Sequence, residues 1–333
     1  MQNPKHLNQT MRKILNKLRS IVTTVAVACS LLGTATAAPL TISDAFSNLN
    51  VAATIAKVHS GIDSVTAAKN VSLYSSTQIG NNITMTASNP ILLSETIQNA
   101  GGNTLHVNKG SVVSQAAPSG VALNFNSGGT LTTGTSALST SLMSTTGFSS
   151  FESLMTAFNG YSVYLKDLPG STVSLSDPNS FTFNGDGSQF PVFNISGSDL
   201  VNAHGIQVNL NGGTTAVVNV FSANDMTVHA NRLGGEVDVI WNFIDTNPTF
   251  VSGKKVDNTI TFTGSNWNGG TLNPDGTLYF QNGATGLAVA DTVENNSQMK
   301  NNPITGPPMA VPETGSSSLL ALSLGALMLR RKR

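Results

Sequence analysis

Val237-Asp238-Val239-Ile240-Trp241-Asn242-Phe243 is the stretch on which the fold turns. Apolar and polar side chains alternate at Val237-Asp238-Val239, and Ile240 and Trp241 extend the run. β-Branched and aromatic residues dominate it, which favours a strand over a helix. Working outward, 216–221 (AVVNVF) has the same character, with Val218-Asn219-Val220 alternating. Further short strand signals stand at 181–183, 191–195, 206–210, 226–229, 259–263, 278–280 and 287–293. Turn clusters such as Gly185-Asp186-Gly187, Asn211-Gly212-Gly213 and Pro274-Asp275-Gly276 separate them. Upstream, from Val71 to about Thr146, short apolar pairs alternate with Ser, Thr, Asn and Gly, at 71–73, 83–85, 91–93, 105–107 and 121–125. Stacked short strands are expected there too, although no strict repeat is present. Residues 41–60 read as a helical or mixed opening.

One helix stands out at 149–159 (SSFESLMTAFN). Phe151, Leu154, Met155 and Phe158 make one apolar stripe, Ser149 or Ser150 caps it, and Gly160 is expected to end it. The expected class is all-β with one or two helices. A β-solenoid is the first choice and a β-sandwich the alternative.

Composition narrows the function. Charged residues are 10% of the 333, against roughly 25% in ordinary soluble proteins. The formal net charge of zero hides a segregation. All 17 acids lie between Asp44 and Glu313, whereas nine of the 17 bases sit in 1–37 or in the last four residues. The middle therefore keeps eight bases, Arg232 its only arginine, and nucleic acid is excluded as its partner for want of a basic face. Cys29 is the only cysteine and lies in the leader, so the body has no disulfide.

Both ends read as membrane-handling elements. Residues 1–37 resemble a secretory signal: a basic start at Met1 or Met11, the apolar segment 21–33, then Ala35 and Ala37 as an A-x-A site, with cleavage before Ala38. An uncleaved anchor is the less favoured reading, because segment 21–33 falls short of the roughly 20 residues that span a bilayer. Lipidation at Cys29 is a second alternative. At the other end, Val311-Pro312-Glu313-Thr314-Gly315 precedes an apolar run at 319–329 and a terminal RRKR. A short apolar helix with a basic cluster behind it follows the positive-inside rule. This tail resembles the PEP-CTERM signal that exosortase-type enzymes process in Gram-negative bacteria, with Thr314 where the motif has Pro. The same letters resemble the LPXTG signal of sortases, with Val311 in place of Leu. Residues 295–310 read as an Asn/Pro-rich linker. The organisation expected is signal 1–37, body 38–294, linker 295–310 and tail 311–333. The tail would contact the membrane before processing.

Catalytic chemistry finds little support. His59, His106, His204 and His229 show no paired-ligand spacing, and no GxSxG elbow occurs. Asp225 and His229, four apart on a strand, would lie about 13 Å apart, too far to share a metal. Asp177, Asp186, Asp199 and Asp225 stand in turn contexts, where capping the backbone is sufficient reason for a carboxylate. No cofactor is expected. Calcium at one or two of these turns is the single cation considered, without an EF-hand to support it. Trp241 reads as core. Trp267, between Asn266 and Asn268, reads as core first and as an exposed sugar-stacking ligand contact second.

The run AVVNVF (216–221), VDVIWNF (237–243) and GSNWNGGTLNPDGTLYFQNGATGLAVADTV (264–293) is similar to the choice-of-anchor A domain. Leu272-Asn273-Pro274-Asp275 stands where that family has an Ala-Pro-Asn stretch. The resemblance implies an ice-binding-like adhesive fold, a β-solenoid with a helix alongside, in a secreted and anchored protein. The expected function is a non-catalytic adhesin or extracellular matrix protein at the cell surface, touching a polysaccharide or a host or matrix surface. The alternatives are a polysaccharide-active β-helix enzyme and an ice- or surface-binding protein. For the last, Thr84-x-Thr86 and Thr261-x-Thr263 are the only hints.

Overall fold

The computed structural model describes residues 42–81, 86–232, 238–265 and 267–309. Among the described residues the chain is mostly β, its sheets are mostly parallel, and none closes into a barrel. Parallel pairing is not that of an antiparallel sandwich. Val237–Phe243, the deciding stretch, supplies the strand Asp238–Asp245, with Val239 to Phe243 all buried.

The largest sheet has 14 strands. Its order runs from Ser171–Thr172 through Val192–Ser196, Thr215–Ser222, Asp238–Asp245 and Gly270–Phe280 to Ala288–Asn295. There the chain's first strand, Leu49–Val58, pairs parallel with one of its last: Val51 faces Ala288 and Val58 faces Asn295. The order then continues through Val65–Leu73, Pro90–Ser94 and Ser111–Ser114 to Leu131–Thr133. The early and late halves of the sequence thus extend one ladder in opposite directions from a shared centre.

That topology explains the helices. After Leu131–Thr133 the chain stands at one end of the ladder and must resume at Ser171–Thr172, at the other. With strands about 4.8 Å apart the gap is about 48 Å. Thr135–Thr146 and Phe151–Asp167, with 12 and 17 residues, cover about 44 Å at 1.5 Å per residue. The first packs on Pro90–Ser94, Ser111–Ser114 and Leu131–Thr133. The second crosses the middle strands from Val65–Leu73 to Thr215–Ser222. The connection is a pair of helices because it must run along the ladder while hydrogen-bonding its own backbone.

The helix over 149–159 is present but does not stop at Gly160; it runs to Asp167. Phe151, Leu154, Phe158, Tyr161 and Leu165 are all buried, so the stripe continues past the glycine. Gly160 is exposed on the opposite side. Its cost of about 1 kcal/mol in a helix interior is offset by that burial. Ser150 caps the start, accepting from the Ser153 amide while Ser153 Oγ accepts from the Ser150 amide. Thr135–Thr146, which sequence reasoning left among the strands, buries Leu138 and Leu142. Tertiary contact overrides the weak helix preference of its serines and threonines. Residues 41–60 resolve into a short helix, Ser43–Asn48, followed directly by Leu49–Val58.

Where the long helix meets the sheet, the contact is a buried row of asparagines. Asn194, Asn219 and Asn242 occupy one column on adjacent strands. Asn219 Nδ2 donates to Asn194 Oδ1 and to the Leu165 carbonyl, both at 3.0 Å. Asn242 Nδ2 donates to Asn219 Oδ1 and to the Ser162 carbonyl, both at 2.9 Å. Each amide of this row finds partners, which is what makes a polar row tolerable there.

Stacked turns require glycine where backbones close on each other. Gly269 and Gly286 both have positive φ, +125° and +110°. A Cβ on Gly286 would lie 2.5 Å from the Gly269 carbonyl oxygen, and one on Gly269 would lie 2.4 Å from that of Val239.

The stretch 295–310, read as a linker, is packed against the body as far as it is described. Met299 and Ile304 are buried. Thr215 Oγ1 donates to the Thr305 carbonyl at 2.7 Å, and the Tyr161 hydroxyl to that of Pro307 at 3.0 Å. Burial, with Tyr164 nearby as a smaller cause, pushes the Tyr161 hydroxyl far above the ordinary tyrosine range.

Candidate functional site

Side chains alternate in and out along every rung, so stacked parallel strands line up columns of outward residues. Two such columns define an outward face built from Met226–Val228, Thr259–Phe262, Gly270–Phe280, Ala288–Asn295, Leu49–Val58, Val65–Leu73 and Thr96–Asn99. One reads Thr259, Thr277, Thr292, Ile55, Asn70, Thr96. Its neighbour reads Thr227, Thr261, Tyr279, Glu294, Lys57, Ser72 and Gln98. Between them lies the buried column Ile260, Leu278, Val293, Ala56 and Val71. Five threonines thus gather at one end of the face, on four adjacent strands.

The middle of the face is charged. Lys57 Nζ lies 3.1 Å from Glu294 and His59 Nε2 lies 3.3 Å from it. His59 stacks on Tyr74 with ring centres 4.5 Å apart, and Tyr74 is among the more exposed aromatic side chains. Of the Thr-x-Thr pairs read from the sequence, Thr261 belongs to this face, Thr263 hydrogen-bonds His229, and Thr84 lies outside the described residues.

Beside this face stands an antiparallel hairpin, Thr249–Val251 and Lys254–Val256. Its apolar side chains face solvent, with Phe250 69% exposed. Two consecutive lysines pin it to the ladder. Lys254 pairs with Asp291 at 2.5 Å, and Lys255 with Asp257 at 2.8 Å and Asp275 at 3.6 Å. Asp257 Oδ1 is buried without a hydrogen-bond partner. Burial raises the Asp257 pKa, outweighing the lowering by Lys255, and Asp275 and Asp245 raise it further. A carboxyl whose folded pKa is raised binds its proton more readily folded than unfolded. Its unfavourable contribution therefore grows as pH rises through the folded value and vanishes below the unfolded one. Asp257→Asn is expected to match or exceed the parent in Tm at pH 7. The difference should close as pH falls toward 4, which a pH series of thermal melts will read.

The other predicted site residues are accounted for as follows. Trp267 is not a ligand platform: it is 3% exposed, packed against Trp241 and Phe262 at 4.8 and 4.5 Å. Its Nε1 donates to Thr271 Oγ1, so even its polar edge is satisfied inside. Its neighbour in sequence, Asn268, is half-buried, and its Oδ1 is buried with no hydrogen-bond partner among the described residues. Asp177, Asp186 and Asp245 cap turns, each accepting from the amide two residues on, whereas Asp199 lies in the first turn of the short helix Gly197–Asn202, which Ser196 caps. Asp225 accepts from the Thr259 amide at 2.7 Å while His229 contacts Thr263, so the two serve different partners. Among the described residues no group of three or more His, Cys, Asp or Glu is arranged to hold a metal. Ala35, Ala37, Ala38 and the motif Val311 to Gly315 lie outside the described residues. Among those described, no helix is long and apolar enough to cross a membrane.

Comparison with known proteins gives one result. The model of a family described as an ice-binding-like adhesive domain matches residues 33–301. No curated protein and no solved structure matches the chain. The match covers most of the sequence, including both columns of the outward face and the helices that span the ladder, and on that basis the chain belongs to the ice-binding-like adhesive domain family.

Proposed function

We propose that this is a secreted adhesin of the choice-of-anchor A type, held at the cell surface or in the extracellular matrix, that works by presentation and not by catalysis. The observation that carries the reading is the adhesive-family match across a mostly parallel ladder. The body is a β-solenoid with its spanning helices alongside, needing neither disulfide nor metal for stiffness. Its outward face is the adhesive surface, where hydroxyls, amides and the Lys57–Glu294 ion pair stand in register on successive strands. Residues 1–37 direct export. The tail at 311–333 is the substrate of an exosortase-type enzyme, or of a sortase-type enzyme as the alternative, after it has engaged the membrane.

Cell fractionation with mass spectrometry of the mature ends tests this. An N-terminus at Ala38 and a C-terminus within or just before 311–315, in an envelope or matrix fraction, is the expected result. A cytoplasmic chain retaining Met1 or Met11 and Arg333 would remove the adhesin reading. Binding to an ordered solid such as ice is a second reading. It is favoured by Thr259, Thr277 and Thr292 on adjacent strands, with Thr227 and Thr261 beside them, and opposed by the Lys57–Glu294 pair in the same face.

A further inference from the structure

The ladder bends between its helix-covered face and its outward face, and the residues at that bend form a column of their own. The register places Thr54 between Ala53 and Ile55, opposite Asp291 on one side and Lys69 on the other. Glu95 follows Lys69, its amide donating to the Lys69 carbonyl. Asp275 lies in the bulge between Asn273 and Thr277, opposite Asp291. Asp275, Asp291, Thr54, Lys69 and Glu95 therefore mark five successive strands, about 19 Å end to end at the usual strand spacing. Four of the five are ionisable, in a chain where one residue in ten is charged.

This column is one wall of a groove of about 330 Å³. The opposite wall is the first half of the long helix, where Glu152, Met155, Thr156 and Asn159 line it, and Lys254 of the hairpin closes one side. Met155 supplies the apolar surface, since Phe151 and Pro274 are themselves buried. Both lysines are already engaged, Lys254 by Asp291 and Lys69 by Glu95 at 3.9 Å. Asp275 is held in place by Asn159 Nδ2, which donates to its Oδ1 at 2.8 Å. Glu152 is exposed and has no ion pair among the described residues. Four acids and two lysines line the groove, so it repels polyanions.

We propose that this groove binds a linear polysaccharide strand free of acidic groups. A groove lined by carboxylate, amide and hydroxyl groups offers acceptors and donors to sugar hydroxyls. Met155, half-buried at the groove, offers apolar surface to a pyranose face. The repeat of a linear sugar chain is comparable with the strand spacing, so successive sugars would meet successive members of the column. Fixed ion pairs and the Asn159–Asp275 bond preorganise the wall, which lowers the ordering cost of binding. The inference goes beyond the adhesive reading, since the outward face and this groove are separate surfaces.

The test is calorimetric titration of the full chain with cellohexaose, a chitosan hexamer and an oligogalacturonate hexamer. The neutral and amine-bearing probes should bind and the uronate should not. Thr156→Trp, at an exposed helix position, should weaken binding tenfold or more by filling the groove while leaving the unfolding midpoint in place. Glu152→Gln should weaken the amine probe more than the neutral one. Absence of binding by cellohexaose and the chitosan hexamer at millimolar concentration overturns the proposal. So does uronate binding as tight as theirs, or affinity unchanged in Thr156→Trp. Surface retention through the outward face would survive Thr156→Trp, so these failures are separable from failure of the adhesin reading.

Discussion

Trp241→Ala should lower the stability of the body by about 3–5 kcal/mol, the range for truncating a large buried aromatic. Trp241 is 1% exposed and stands where three sheets meet. Its ring contacts Phe183 of one three-stranded sheet edge-on at 6.2 Å and Trp267 of another at 4.8 Å. Its Nε1 donates to the Asn268 carbonyl at 3.1 Å. Removal opens a cavity at the junction and leaves that carbonyl without its donor. Against a typical total of about 5–15 kcal/mol, the loss is large enough to shift the whole transition. Urea unfolding followed by near-ultraviolet circular dichroism reads it. Trp241→Phe should recover part of the loss by restoring ring packing without the indole bond. A cost below about 1 kcal/mol for the alanine variant would show that the sheets cohere without this ring.

Asn219→Ala should cost about 2–4 kcal/mol, more than its loss of volume explains, because it removes the middle of the buried amide row. Asn194, Asn242 and the Leu165 carbonyl each lose a partner at a site closed to water. Asn219→Leu, which fills the space, should rescue little, since the orphaned groups remain. Combined with Asn242→Ala the losses should fall short of additive, because the first change has already broken the bond the second would break. Equilibrium unfolding of the two single variants and the double variant supplies the cycle. Additive losses would mean that the row contributes as separate residues and not as a chain.

The row also shows where sequence reasoning reaches and stops. Val218-Asn219-Val220 announces a strand by its alternation, and a strand forms there, yet Asn219 points at a helix and not at water. A polar residue in an alternating pattern reads as solvent-facing; only the helix laid across the sheet reverses that. Trp267 is buried as its first reading has it, although the turn-like Asn-Trp-Asn-Gly context does not announce that Trp241 and Phe262 arrive from other strands to cover it. Strand positions, the Asp-capped turns and the start of the helix at Ser150 were legible because their causes are local. The end of that helix was not, because Tyr161 and Leu165 hold it past Gly160 through contacts made elsewhere. Least visible is the bend column: Asp275, Asp291, Thr54, Lys69 and Glu95 come from opposite ends of the chain, and nothing in their local sequence announces their alignment.

The placement of Leu49–Val58 has a consequence for how the molecule comes into being. Asn50 donates to the Gly286 carbonyl, 236 positions downstream. The central rung therefore cannot be completed until nearly all of the body has been delivered. Contacts of such long sequence separation are slow to form, because the intervening loop must be closed before they stabilise anything. A polypeptide threaded N-terminus first through a narrow pore would keep its opening strand waiting on one flank until residues near 295 emerged. For a chain delivered that way, premature compaction on the wrong side of the pore would be discouraged by topology alone, and the keystone would be set last.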